Sequence, residues 1–180
     1  MTFLELAKKR RSTRKYSAKS VPREIIERCL EAARLAPSAC NSQPWSFIVI
    51  DNENGRNDLA EAAFSGIYSM NTFAKKAPVL TVVVTEQSTY VAKVGGYLKG
   101  VQYNLIDMGI ACEHFCLAAA EESVGTCWLG WFNEMAVKKV LGLPDNKKVD
   151  VIISMGYPEN EEPREKIRKT LDQIRRYWPR

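Results

Sequence analysis

The chain has 180 residues, 46% hydrophobic and 26% charged, a balance that specifies a single domain with a proper core and excludes a disordered chain. No apolar run approaches the ~20 residues of a membrane helix, and the opening MTFLELAKKRR has no small-residue cleavage site, so neither a membrane anchor nor a secretory signal is expected. The formal net charge of +5 is polarised: residues 1–23 hold eight Lys or Arg (Lys8, Lys9, Arg10, Arg11, Arg14, Lys15, Lys19, Arg23) against Glu5 alone, and a second basic group (Arg164, Lys166, Arg168, Lys169, Arg175, Arg176, Arg180) closes the chain. Two basic ends imply either one anion site built jointly or a diffuse nucleic-acid surface.

In chain order, Phe3, Leu6 and Ala7 predict a short amphipathic helix ending near the arginines. Pro22 opens a second helix, where its missing N–H costs nothing. Ile25, Ile26, Cys29, Leu30 and Ala33 mark that helix's buried face, and Pro37 ends it. Ser46 to Ile50 reads as a buried strand, followed by a turn at Asn52 to Gly55 and a helix around Arg56 to Phe64. Pro78 to Thr85 is β-branched and apolar on both faces, as a central strand should be.

The stretch from about Lys99 to Glu122 predicts the longest helix, roughly 35 Å at about 1.5 Å per residue. Its later part is apolar nearly all round, so it needs cover on every side, from its own chain or from a partner subunit. Thr126 to Trp131 reads as a strand entering a turn, Asn133 to Leu141 as a helix and Val149 to Met155 as a buried strand; from about residue 157 the chain reads as a polar, basic arm. The pattern is α+β with a mixed central sheet flanked by helices, one domain over residues 1–180 and no linker.

Five cysteines (Cys29, Cys40, Cys112, Cys116, Cys127) without CxxC spacing argue against a disulfide framework and for a reducing compartment. They read as small core residues. Cys112 and Cys116 share a helical face, but the only histidine, His114, is out of phase with them, so no metal site is expected. His114 itself reads as a buried structural residue. No GxGxxG, P-loop, GxSxG or HExxH is present, so an enzyme of this sequence would rely on a cofactor for its chemistry.

Three clusters carry chemical information. Arg10-Arg11-Ser12-Thr13-Arg14 lies at a helix end, where guanidinium forks converging on one phosphate would make a strong site; alone, such a string reads by default as a solvated charged run. Residues 36–45, APSACNSQPW, set small and amide side chains between two prolines, a rigid polar loop suited to a planar ligand, or a helix–strand connector anchored by Trp45. Residues 125–132, GTCWLGWF, place Gly125 and Gly130 where backbone can approach a flat ligand, or where a core strand bulges.

In order and spacing, RRSTRKY, APSACNSQPW, GTCWLGWF and a final KIRKTLDQI resemble the nitroreductase family across nearly the whole chain. The resemblance implies a nitroreductase-like α+β fold with a long buried helix at a homodimer interface, and two FMN sites shared between subunits. By similarity, Arg10, Arg11, Ser12 and Arg14 would hold the FMN phosphate and ribityl chain. Lys166 and Arg168 would close on the same phosphate, Lys166 also reaching toward the N1–O2 edge of the ring as a stabiliser of developing charge. Pro37, Ser38, Ala39 and Asn41 would come from the partner subunit. Leu129 and Gly130 would meet the ring near N5 and O4, and Asn71 would be a further ring contact.

The implied activity is ping-pong hydride transfer from NAD(P)H to a small conjugated acceptor such as a nitroaromatic or quinone, in the cytoplasm, with no nucleic acid or membrane as partner. Family members exist with an acidic side chain where Leu129 stands, so only a backbone role transfers there. Residues 86–97 are shorter than in many relatives, which leaves the acceptor open. Competing readings are a same-fold specialist (dehalogenase, flavin destructase or enoate reductase-like), an FMN-binding protein without turnover, and a basic nucleic-acid-binding module.

Overall fold

Four strands, each anticipated by an apolar run, pair antiparallel in the spatial order β1 (Trp45–Ile50), β2 (Val79–Thr85), β4 (Lys148–Gly156), β3 (Gly125–Leu129). The computed structural model describes residues 1–86, 90–160 and 166–178; Arg164 and Arg180 of the C-terminal basic group, and part of the 86–97 segment, lie outside these residues. Parallel pairing, expected of a mixed sheet, is confined among the described residues to one isolated bridge, Ser12 with Thr126.

The central strands are apolar on both faces because helices cover both. Val79 and Val83 pack with Val151, Ile153 and Met155 against α2 (Arg23–Arg34) and α5 (Tyr103–Glu121), through Ile26, Cys29, Ala33, Cys112 and Phe115. Leu80, Val82 and Val84 face the other way, with Ile152, toward α3 (Glu53–Ala63) and α6 (Glu134–Val140), where Leu59, Phe64 and Val137 are fully buried. This alternation in β2 is the period of two that sends successive side chains to opposite layers. β1 departs from the expected buried strand: it is one of the two sheet edges and all but Ile50 is only half-buried.

The predicted long helix is α5, which starts at Tyr103, a few residues later than expected, and a helix that was not anticipated precedes it. α4 (Tyr90–Lys99) stops at Gly100, whose φ of +65° suits glycine, and α5 begins three residues later. A β-carbon on Gly96 would lie 2.6 Å from the Val101 carbonyl oxygen, so the hairpin turns on a second glycine as well. α5 is not covered all round within the chain: Asp107, Met108, Ala111, Cys112, Phe115 and Cys116 are buried, while Leu105 and Ile106 are exposed.

Smaller departures have local causes. The predicted turn at Asn52 is the N-cap of α3, its side chain accepting from the Gly55 N–H at 2.8 Å, so the helix starts earlier than its apolar residues suggest. A 3₁₀ stretch, Gly66–Lys76, was not anticipated. Four cysteines are buried, but Cys40 is exposed. His114 is half-buried, its Nδ1 3.2 Å from the Ala32 carbonyl oxygen.

At the N-terminus, α1 (Phe3–Lys9) buries none of its own residues; a capping box between Thr2 and Glu5 starts it, and its chain then straightens at Arg10. Residues 12–17 continue in extended form beside the sheet. The Thr13 N–H donates to the Thr126 carbonyl (2.9 Å), the Ser17 N–H to the Tyr157 carbonyl (2.9 Å), and Tyr16 bridges Pro158. Buried Tyr16 pins the run: its hydroxyl donates to the Thr13 carbonyl at 2.7 Å and lies 2.8 Å from Ser154 Oγ. Desolvation pushes this phenol far above its ordinary pKa, so it remains a donor. Tyr16→Phe should destabilise the protein by about 1–3 kcal/mol, the cost of orphaning buried acceptors, read as a lowered urea midpoint with an unchanged denaturant slope.

Candidate functional site

The extended segment after α1 decides where the basic residues go. Thr13 and Tyr16 are buried in it, while Ser12, Arg14 and Lys15 point outward. Arg10 and Arg11 stand at the joint between helix and extended chain. A cavity of about 280 Å³ opens there, with Lys8, Lys9, Arg10, Arg11 and Lys166 on its wall together with Thr13, Ser123, Gly125 and Thr126, and no Asp or Glu among the described residues that line it. A neighbouring cavity of about 260 Å³ is lined by Arg11, Ser12, Thr13, Arg14, Lys15, Pro158 and Asn160.

The two basic ends therefore meet, at least through Lys166. Its Nζ donates to the Ala7 carbonyl at 2.6 Å, at the end of α1. Partial burial, then the cations Arg10 and Arg168, hold its ammonium below the ordinary lysine value, with Glu113 working against them. Arg168 is close enough to act on Lys166, yet it lines neither cavity and donates to the Ile167 carbonyl (2.8 Å). Arg10 Nε lies 3.1 Å from Glu113 Oε1 on α5.

Gly125, which lines the cavity, also seats a side chain of its own chain. A β-carbon there would lie 2.2 Å from Thr13 Oγ1 and 2.7 Å from Thr13 Cβ, so the glycine receives Thr13 and lets the arginine segment lie flat on β3. Gly130, by contrast, has nothing within 4 Å of where its β-carbon would stand. It follows buried Leu129 and precedes half-exposed Trp131. Asn71 is beside this strand end: its Nδ2 donates to the Trp131 carbonyl at 2.9 Å, and the Trp131 indole donates to the Ile67 carbonyl at 3.1 Å.

The Pro37–Asn41 loop is elsewhere. Ala39–Asn41 form one 3₁₀ turn, and Cys40, Asn41 and Gln43 all have positive φ (52°, 50° and 44°). Such backbone in non-glycine residues persists only where neighbours hold it. Here the Gln43 N–H donates to Ser38 Oγ (2.9 Å), and the Ala39 N–H donates to Asp107 Oδ1 (3.0 Å) near the start of α5. Asp107 is 3% exposed and its Oδ2 has no partner among the described residues. Asp107 and Ala120, which lines the cation cavity, are thirteen residues apart on α5, or about 20 Å along its axis. One chain does not bring this loop to the cation cavity.

Asp107→Ala should free the Ala39 turn, destabilising the fold by about 1–3 kcal/mol, with faster proteolysis at residues 38–43. Asp107→Asn, which keeps the acceptor, should stay within about 1 kcal/mol of the original. Equal protease sensitivity of the two variants would count against this anchoring role.

Asp107, Glu113 and Thr13 were not singled out in the sequence. A lone acid within the apolar run NLIDMGIAC was the available signal for Asp107; Glu113 looked like an ordinary helix-surface charge, and Thr13 like a member of a polar string.

The sequence profile of the Nitroreductase family matches residues 7–157. Among solved structures, a nitroreductase family protein from Clostridium difficile 630 is 33% identical and superposes with a TM-score of 0.77, covering 98% of this chain and 98% of that one. An FMN-dependent nitroreductase from Clostridium difficile R20291 is 27% identical, with a TM-score of 0.76 and 99% of each chain covered. Iodotyrosine deiodinase 1 of Mus musculus is 29% identical over 195 residues, spanning 96% of this chain and 68% of that protein.

Proposed function

The chain belongs to the nitroreductase family, and from that premise we propose that it is an FMN-dependent oxidoreductase of the cytoplasm, acting as a homodimer that takes electrons from NAD(P)H and passes them to a small conjugated acceptor such as a nitroaromatic or quinone. The observation that carries this reading is the convergence of Arg10, Arg11 and Lys166 on one cavity, with no carboxylate among the described residues of its wall. That donor set fits a phosphate dianion. The orphaned, buried Thr13 Oγ1 beside it fits a polar ligand too.

In this reading Arg10, Arg11, Ser12 and Arg14 hold the phosphate and ribityl chain, joined by Lys166 and Arg168 from the far end of the chain. Lys166, set among Arg10 and Arg11, is favoured as a phosphate ligand over a role at the N1–O2 edge of the ring. When bound, FMN supplies a hydride-accepting and hydride-donating centre at N5, which donor and acceptor use in turn. The backbone at Leu129 and Gly130 borders the ring, where the open space beside Gly130 permits close approach, and Asn71 lies at the same edge. Pro37, Ser38, Ala39 and Asn41 are supplied by the second copy, in keeping with their distance from the cation cavity along α5. The exposed Leu105 and Ile106 on α5, and Ile167, Leu171, Tyr177 and Trp178 on the arm, are apolar surface that such a partner would cover.

An absorbance spectrum of the purified protein tests the reading. It should be yellow and bleach on anaerobic addition of NADH or NADPH. A yellow protein that does not bleach would be a flavin binder without turnover, and a colourless one that takes up no FMN would sink the proposal. A second reading, reductive dehalogenation, is favoured by the similarity to iodotyrosine deiodinase 1; turnover against a panel of nitroaromatics, quinones and halophenols separates the two. Nucleic-acid binding is disfavoured because the cations wall a cavity instead of spreading over a surface.

The depressed basicity of Lys166 gives a pH signature. Its charged form is the one that binds phosphate, so FMN affinity should fall as pH rises toward the alkaline range, earlier than an ordinary lysine would allow. Lys166→Arg should flatten that fall. Fluorescence titration of apoprotein with FMN from about pH 7 to about pH 10 reads it directly.

A further inference from the structure

We infer that Glu113 is a positioning residue for this site: its carboxylate fixes the Arg10 guanidinium at the cavity wall and so sets the preference for a phosphorylated flavin over the same flavin without its phosphate. The inference rests on the FMN reading above and adds to it a residue from outside the cavity.

Arg10 is anchored at both ends. Its backbone N–H closes α1 by donating to the Leu6 carbonyl at 2.9 Å, and its Nε lies 3.1 Å from Glu113 Oε1. Arg10 lines the cavity and Glu113 does not, so the carboxylate meets the guanidinium from outside the wall. The wall otherwise crowds like charges together, and cations with long stems relieve such crowding by swinging into water. Glu113 opposes that: it holds Arg10 and also acts on the Lys166 ammonium, making it the counter-charge shared by the two ends of the chain. A carboxylate near a phosphate also repels it. With Glu113 paired to Arg10 and both partners partly solvated, at 23% and 39% side-chain exposure, that repulsion is screened, whereas a guanidinium already held in place need not be ordered on binding.

The plain alternative is a surface ion pair that docks α1 on α5 and contributes little. Titrating apoprotein with FMN and, separately, with riboflavin distinguishes the two. Glu113→Gln should weaken FMN binding roughly two- to ten-fold, the factor set by ordering one rotamer-rich side chain, and leave riboflavin binding unchanged. In an Arg10→Ala background the same substitution should have a clearly smaller effect, because Glu113 acts chiefly through Arg10. Glu113→Asp should fall between glutamate and glutamine, and is read alone if the glutamine variant does not fold. Equal losses for both flavins, unchanged or tighter FMN binding, or an undiminished effect without Arg10 would overturn the assignment. If the unaltered apoprotein binds FMN but the variants do not differ from it, only this inference fails; if it binds neither flavin, the FMN reading fails with it.

Discussion

An Arg10→Ala, Lys166→Ala double variant is expected to purify colourless, with its affinity for FMN reduced roughly 10²- to 10⁴-fold. The two side chains come from opposite ends of the sequence and wall the same cavity. Hydrogen bonds to charged groups contribute about 1.5–3 kcal/mol each, and each 1.4 kcal/mol is about a factor of ten in affinity. Neither side chain belongs to the buried core, so the fold should survive: Arg10 loses a half-exposed ion pair and Lys166 one bond to the Ala7 carbonyl. Calorimetric titration with FMN and riboflavin reads the result, the phosphate-free flavin serving as control. Retention of FMN at the original affinity would mean that the phosphate is held elsewhere.

Gly125→Ala should be the more damaging single substitution, although it adds one methyl group and touches no charge. The new carbon would stand 2.2–2.9 Å from three side-chain atoms of Thr13, which is short and buried and has nowhere to swing. The arginine segment would have to lift from β3, breaking the Thr13–Thr126 hydrogen bond. Overpacking of this kind costs about 1–3 kcal/mol, or a fall in Tm of roughly 2–12 °C for a domain of this size. FMN binding should be lost as well, because Arg10, Arg11 and Arg14 move with the segment. Thr13→Gly in the same chain should restore part of both losses, since the two sites share one contact. Simple addition of the two defects would show that the clash is not the cause.

These two predictions differ in how visible they were in the sequence. The arginine string, the Pro37–Trp45 loop and the basic pair near the C-terminus could be placed because they are strings of residue types with a direct chemical use, arranged in a family's order. The strands were legible for the same reason that β2 and β4 pack: both faces are apolar because both are covered. What the residues alone did not carry was reciprocity. Gly125 read as a place of close backbone approach or a strand bulge, and the group that it receives is Thr13. Glu113 and Asp107 acquire roles only from what lies opposite them, Arg10 in one case and the Ala39 N–H in the other. The edge position of β1 was equally hidden, since an edge strand and a buried one can share the sequence SFIVI.

The interruption at Gly100 has one more consequence. Because α5 restarts with its own phase, the angular positions of Met108, Cys112 and Phe115 do not depend on how many residues precede them in α4. Residues inserted into or deleted from α4 would leave that face of α5 unrotated. The segment is thus a module that can be retailored, by descent or in a chimera, while the scaffold beneath it keeps its registration.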